Sequence, residues 1–272
     1  MKQFQLCKVC SNETALINNK YNLVECTNCK LVFCNTIFSE ETFIKVYDKL
    51  YNQTKQYSVH IKESERLLSK KTYKIGNTKR KVLNYITNIE KPKILEIGAG
   101  VGVVANYLQN KNFDYLGVEI DKKTVERAKK ASLNIIQGDF KSVKSIEESF
   151  DSILAFEVIE HIQDLDELFK IIIEKLNSKG ILGFTVPNYN KRLNYKNPHE
   201  KIFQSGPPIH LNFFTTESIV KIANSYGFNV IYCKEKKFPY FNWNKIDTYK
   251  QIIKAIFRQY RGSTIITILQ KK

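Results

Sequence analysis

From residue 93 onward the apolar positions fall into two kinds of run. Short, nearly continuous ones cover 93–97, 114–119, 133–137, 151–156 and 180–186. Between them, near 101–110, 122–131, 164–176 and 215–225, apolar residues recur at three- and four-residue spacing. The first kind reads as strands buried on both faces and the second as amphipathic helices. Their regular alternation predicts a parallel, doubly wound α/β sheet with helices on both sides. After residue 227 the rhythm changes to Phe228–Cys233 and Thr264–Leu269, two further strand-like runs that suit an antiparallel end to the sheet.

The stretch ahead of residue 93 has a different texture. Within 37–92, Phe43, Val46, Tyr47 and Leu50, then Leu67 and Leu68, then Val82, Leu83, Tyr85 and Ile86 carry helical spacing in a polar background. This predicts a helical cap or linker. Tyr47, Tyr51 and Tyr57 pack it against the main domain or, alternatively, line a pocket. Residues 1–36 hold five of the six cysteines. Cys7-x2-Cys10, fifteen intervening residues, and Cys26-x2-Cys29 form two thiolate-bearing knuckles, enough to close a tetrahedral zinc site. A closed site of four sulfurs is structural rather than catalytic, and disulfides are disfavoured in a reducing compartment. Leu16, Ile17, Tyr21, Leu23 and Val24 suit a β-hairpin joining the knuckles. Cys34 is left unassigned, and Cys233 reads as a core residue. The expected division is a zinc-binding module over 1–36, the helical segment over 37–92 and the main domain over 93–272.

Composition narrows the class. At 272 residues with 43% hydrophobic and 12% aromatic positions, the chain can bury a sizeable core. It has no run of about 18 apolar residues that would span a membrane. Met1–Leu6 lacks the apolar core of a signal peptide, so a cytoplasmic location is expected. The net charge of +16 invites a nucleic-acid partner, yet only six of the 43 basic residues are arginine, and the lysines are spread over every segment. A solvated lysine surface is the plainer account. Ile246, Tyr249, Ile252, Ile253, Ile256 and Phe257 form an apolar helical stripe flanked by lysines, expected as core or dimer surface, with a membrane surface as the alternative.

The first buried strand runs into Glu96-Ile97-Gly98-Ala99-Gly100-Val101-Gly102, an acid at the strand end followed by a glycine turn and a helix. Such a turn lets a ligand approach the backbone, with the helix N–H groups facing it. A dinucleotide fingerprint would need Gly or Ala where Val103 stands. The order instead resembles motif I of the class I S-adenosylmethionine (SAM)-dependent methyltransferases. Glu119 ends the second strand 23 residues after Glu96, a spacing that suits ribose hydroxyls, and Gly138-Asp139-Phe140 follows the third. Phe156-Glu157-Val158-Ile159-Glu160-His161 after the fourth strand resembles the small-molecule methyltransferases and lacks the Pro-Pro turn of the enzymes that methylate amino groups. Pro207-Pro208-Ile209-His210-Leu211-Asn212-Phe213-Phe214-Thr215, together with the four-cysteine leader, resembles methyltransferases near polysaccharide and antibiotic-sugar pathways and, more distantly, those of ubiquinone biosynthesis.

The resemblance covers essentially the whole chain. It implies a Rossmann-like, seven-stranded, mostly parallel sheet with an antiparallel C-terminal strand. It places SAM against Glu96, Gly98, Ala99, Gly100, Gly102, Glu119, Ile120, Asp139, Phe140 and Phe156. Asp121 and Thr215 (or Thr216) are expected as helix caps instead. An acceptor hydroxyl must lose its proton as it attacks. His210 is the expected base, with His161 and His199 as alternatives; for His161 a role in holding the helix start competes. Three features depart from the pattern: Glu119 stands where Asp is commoner, Lys30 where Gly is usual, and no long C-terminal domain follows. The expected function is methyl transfer to a small-molecule acceptor, foremost a hydroxyl of a sugar or nucleotide-linked intermediate in surface-polysaccharide or related biosynthesis. An RNA methyltransferase gripping backbone through the zinc module, and a SAM-binding scaffold without turnover, are the other readings. Monomer and homodimer stay open.

Overall fold

The computed structural model describes residues 2–53, 62, 65, 75–192, 206–237, 246–257 and 262–272. The cysteine-rich leader forms β1 (Thr14–Asn18), β2 (Leu23–Cys26) and β3 (Val32–Cys34), all antiparallel, with β1 and β2 making the hairpin expected between the knuckles. Strands this short do not stand alone in water. The sheet therefore recruits a fourth, β9 (Asn212–Phe213), from far downstream, which pairs with β3. Leu31 and Phe33 are fully buried in the same apolar cluster as Phe150, Phe184 and Phe214. Each such side chain contributes about 1.5–3 kcal/mol when taken out of water. One core thus runs from the leader into the main sheet.

Among the described residues, α1 (Glu40–Gln53) and α2 (Asn77–Ile86) precede the glycine turn. Glu40 and Glu41 open α1, where carboxylates complement the helix dipole. α2 buries Val82, Leu83 and Ile86, and lies so close to the sheet that a Cβ on Gly183 would collide with Val82. Tyr57, Leu67 and Leu68, and the side chains of Tyr47, Leu50 and Tyr51, lie outside the described residues.

The main sheet follows in order: β4 (Lys93–Ile97), α3 (Val103–Gln109), β5 (Asp114–Glu119), α4 (Lys122–Lys130), β6 (Ile135–Gln137), β7 (Phe150–Phe156), α5 (Leu165–Lys175), β8 (Leu176–Pro187), a short α6 (Tyr189–Arg192), then after β9 α7 (Thr216–Ser225), β10 (Phe228–Glu235), α8 (Ile246–Ile256) and β11 (Thr264–Lys271). Its spatial order is β10-β11-β8-β7-β4-β5-β6. β4 to β8 are parallel, and β11 slots antiparallel between β8 and β10. This is the expected seven-stranded, mostly parallel, Rossmann-like sheet. Asp121 and Thr215 cap α4 and α7, the latter in a reciprocal box with Ser218.

Two boundaries differ from the pattern reading. β8 starts at Leu176, because exposed Asn177, Ser178 and Lys179 extend the strand without an apolar signal. β6 is shorter, since Asn134 turns its side-chain amide back to the Tyr115 carbonyl at 2.8 Å. Tyr249, Ile253, Ile256 and Phe257 of the α8 stripe are 48–69% exposed, which corrects the core half of that expectation and leaves an outward apolar surface. Periodicity shows that a helix is two-faced, not what its apolar face meets. Cys233 is only partly buried, between the Thr216 carbonyl and Thr267. Among the described residues no helix is long and apolar enough to cross a membrane.

Candidate cofactor and acceptor site

The glycine turn sits at the carboxyl edge of the sheet, next to the point where the strand order reverses. Ligands bind there in open α/β sheets. Gly98, Gly100 and Gly102 all have positive φ, at 74°, 55° and 85°, a region that other residues enter only with strain. A Cβ on Gly98 would strike Val158, and one on Gly102 would strike Leu133, so both are closed by protein. A Cβ on Gly100 would meet nothing within 4 Å, so this middle glycine alone leaves its backbone open to a ligand.

Two buried acids frame the turn. Glu119, 6% exposed, accepts from the Gly100 amide at 2.8 Å and the Asp121 amide at 3.0 Å. Burial raises its pKa, against those two hydrogen bonds. Glu96 is 1% exposed and accepts from the Tyr115 hydroxyl at 2.5 Å. Burial pushes it up to about 7, opposed by the nearby Lys79 ammonium. Lys79 also lies 5.1 Å above the ring of buried Phe156. Sequence reasoning had no signal for Lys79, which arrives on α2 from a separate segment. Of the other expected cofactor contacts, Ala99 is buried, Ile120 is 54% exposed and Phe140 is half-buried. The Asp139 carboxylate accepts from the Ser142 amide at 3.0 Å and so caps the turn Phe140–Ser145. The open glycine, the paired acids and the exposed edge residues fit an adenosyl sulfonium: space against the main chain, acceptors for hydroxyls and negative charge near a cation.

Beyond Val158 the chain makes a single turn, Ile159–His161, which brings Glu160 and His161 to the same edge. His161 Nδ1 lies 2.9 Å from the Ile209 carbonyl. A carbonyl can only accept, so Nδ1 carries the proton and Nε2 the lone pair. Burial lowers the His161 pKa, which keeps the ring neutral near pH 7. His210 follows at a ring-centroid distance of 4.8 Å, edge-on to His161. His161 therefore anchors the downstream loop rather than a helix start. Asn212 completes the junction, its amide donating to the carbonyls of Ile159 (3.0 Å), Glu160 (3.4 Å) and Ile162 (2.7 Å). Leu211 N donates to Glu160 O at 2.8 Å. The structure brings His161 and His210 together; His199 lies outside the described residues. A cavity of ≈520 Å³ lined by Tyr85, Asp151 and Gln270, among others, lies at the opposite edge of the sheet.

The four knuckle cysteines converge. Cys7 and Cys29 sulfurs are 3.7 Å apart, Cys10 and Cys26 3.4 Å, and all four lie within 4.8 Å of one another. Sulfurs bound tetrahedrally at about 2.3 Å from zinc would stand about 3.8 Å apart, so the donor set fits that ion. None of the six cysteines is in a disulfide. Beside them Lys8 is buried with its ammonium 5.5 Å from the Phe4 ring and 5.2 Å from the Phe33 ring, and burial draws its pKa down to about 7.

A family model described as a methyltransferase domain matches residues 67–232. The chain belongs to this methyltransferase-domain family. Among curated proteins it is 23% identical over 118 residues to a ubiquinone biosynthesis O-methyltransferase of Rickettsia canadensis, covering 41% of this chain and 50% of that protein. It is 30% identical over 112 residues to one of Pelagibacter ubique, covering 38% and 47%. The chain spans about half the length of the curated relatives it matches. Among solved structures, a SAM-dependent methyltransferase from Mesorhizobium loti superimposes with a TM-score of 0.56 at 13% identity, covering 72% of this chain and 99% of that one. At that identity the likeness speaks for the fold.

Proposed function

We propose that the protein transfers a methyl group from SAM to a hydroxyl of a small-molecule acceptor, foremost a sugar or nucleotide-linked intermediate of surface-polysaccharide or related biosynthesis. One observation carries this reading: Val158, on the turn that bears Glu160 and His161, closes directly over Gly98. The cofactor turn and the histidine pair are thus neighbours at one edge. Gly100, in the turn shaped by Gly98 and Gly102, would hold the adenosyl part together with Glu119, with Ile120, Asp139 and Phe140 at its rim and Glu96 and Phe156 beneath.

SAM supplies a methyl group on a positively charged sulfur. The chain's part is alignment, which is worth several kcal/mol in such displacements, and management of the acceptor's proton. His161, whose burial keeps the ring neutral, and His210 beside it are the groups placed for that. The O-methyltransferase relatives support a hydroxyl over an amine. We assign Cys7, Cys10, Cys26 and Cys29 to a structural zinc ion, an arrangement that suits a reducing compartment such as the cytoplasm.

The test is calorimetric titration of SAM and its demethylated product into zinc-replete protein, repeated with Glu119→Ala. The expected result is micromolar binding that weakens at least roughly tenfold in the variant, the worth of one lost charge-assisted hydrogen-bonding group. An acceptor screen beginning with nucleotide sugars follows. Failure of folded, zinc-loaded protein to bind SAM would overturn the reading.

A further inference from the structure

The acceptor edge holds a second cluster of metal-ligating chemistry. Glu160, His161 and His210 each present a ligand atom, and the three lie within 4.8 Å of one another. His161 Nε2 is 3.9 Å from Glu160 Oε1, longer than a hydrogen bond. Its Nδ1–H is committed to the Ile209 carbonyl, the outer contact that ligating histidines use to fix their tautomer and aim. Asn212 grips the backbone on both sides of Glu160, and Leu211 N binds the Glu160 carbonyl, so the segments bearing the three side chains are locked together. Glu160 is 1% exposed, while both histidines are half-buried.

We propose that Glu160, His161 and His210 bind one divalent first-row transition-metal ion whose open positions take the oxygen of the acceptor hydroxyl. One hard carboxylate and two borderline imidazoles suit manganese, iron or cobalt, whereas the four soft thiolates favour zinc. Ligand atoms about 2.1 Å from a common ion sit about 3–4 Å apart. Closing from the observed separations is a matter of side-chain rotation. The role of the ion rests on the methyl-transfer reading, but its binding does not. With the hydroxyl on the ion, its proton passes to water, as metal coordination acidifies bound oxygen. The oxygen then bonds the methyl carbon while the carbon–sulfur bond breaks and its electron pair goes to sulfur. No oxidant or reductant takes part. In this scheme His210 acts as a ligand and the ion does the work otherwise asked of a base.

The experiment is a titration of Mn2+, followed by electron paramagnetic resonance, into full-length protein already loaded with zinc. It is repeated on Glu160→Gln and His210→Gln, with zinc content and SAM binding measured on every sample. One equivalent of Mn2+ beyond the zinc is expected, weakening at least roughly tenfold in both variants while zinc and SAM stay bound. No manganese binding, or binding that both variants retain, would overturn the site. If SAM binds and manganese does not, the metal site fails and the methyl-transfer reading stands; if manganese binds and SAM does not, that reading fails and the site stands. Glu160 is buried, so His210→Gln, on a half-buried loop residue, decides the matter if Glu160→Gln does not fold.

Discussion

The two halves of the proposed cleft, one for cofactor and one for acceptor, are held in different ways. The cofactor half is built by local backbone geometry: a strand, three glycines of positive φ and a helix in one unbroken run from Lys93 to Gln109, with Glu119 of the adjacent strand tying down Gly100. The acceptor half is assembled from afar. The turn at 159–161 is fixed by Asn212 and by Ile209, some fifty residues later, and Asn212 in turn pairs with Phe33 of the cysteine module. The first half can tolerate damage elsewhere; the second inherits the stability of everything it leans on. A donor site common to many acceptors can be encoded once and kept, while the acceptor side is composed from separable parts.

The strongest way to break this contrast is at the thiols. Cys26→Ser removes a fully buried thiol of the proposed zinc site, and zinc binding is expected to be lost. The melting temperature should drop by about 10 °C or more, since structural zinc contributes folding energy directly. SAM affinity should change little while acceptor KM rises. Equal loss of both would show that the halves are not separable.

Asn212→Leu comes next. It strips three carbonyls of a buried donor and should cost about 3 kcal/mol in denaturant unfolding. Its effect should again fall on acceptor KM and not on SAM binding; a shifted SAM affinity would contradict the division.

The smallest effect belongs to the cofactor half and is read by pH. Glu96 has a folded pKa of about 7, above its ordinary 4.5, because burial penalises the charge. Its contribution to stability is therefore present in full below pH 4.5 and lost as pH rises through 7. Glu96→Gln, which keeps an acceptor for Tyr115, should gain stability relative to the native chain as pH rises from 4.5 to 8. Denaturation profiles that run parallel across that range would reject the assignment.

Legibility in the sequence followed the same divide. The main strands and helices announced themselves because each carries its own period, and the cysteine pairs because their spacing is a ligand geometry. β9 is two residues long and has no period to read, so its union with the leader was invisible. So was the work of Asn212, a polar residue in an apolar run whose partners depend wholly on the fold. Asp139 carries two readings at once: a place after the third strand suggests a ligand contact, and the same carboxylate locally caps the turn that follows it. The α8 stripe shows the limit of periodicity, since an apolar face on a helix names no partner.

The borrowed strand also sets a timetable. β3 emerges from the ribosome roughly 180 residues ahead of the strand that completes its sheet. At about 5–20 residues per second that is a wait of about ten to forty seconds. Throughout it, the leader has an open strand edge, a template for pairing with another chain. The four thiols, at 7, 10, 26 and 29, are likewise made long before β9. The cysteine cluster is therefore in place to hold the three-stranded leader in shape until its fourth strand arrives.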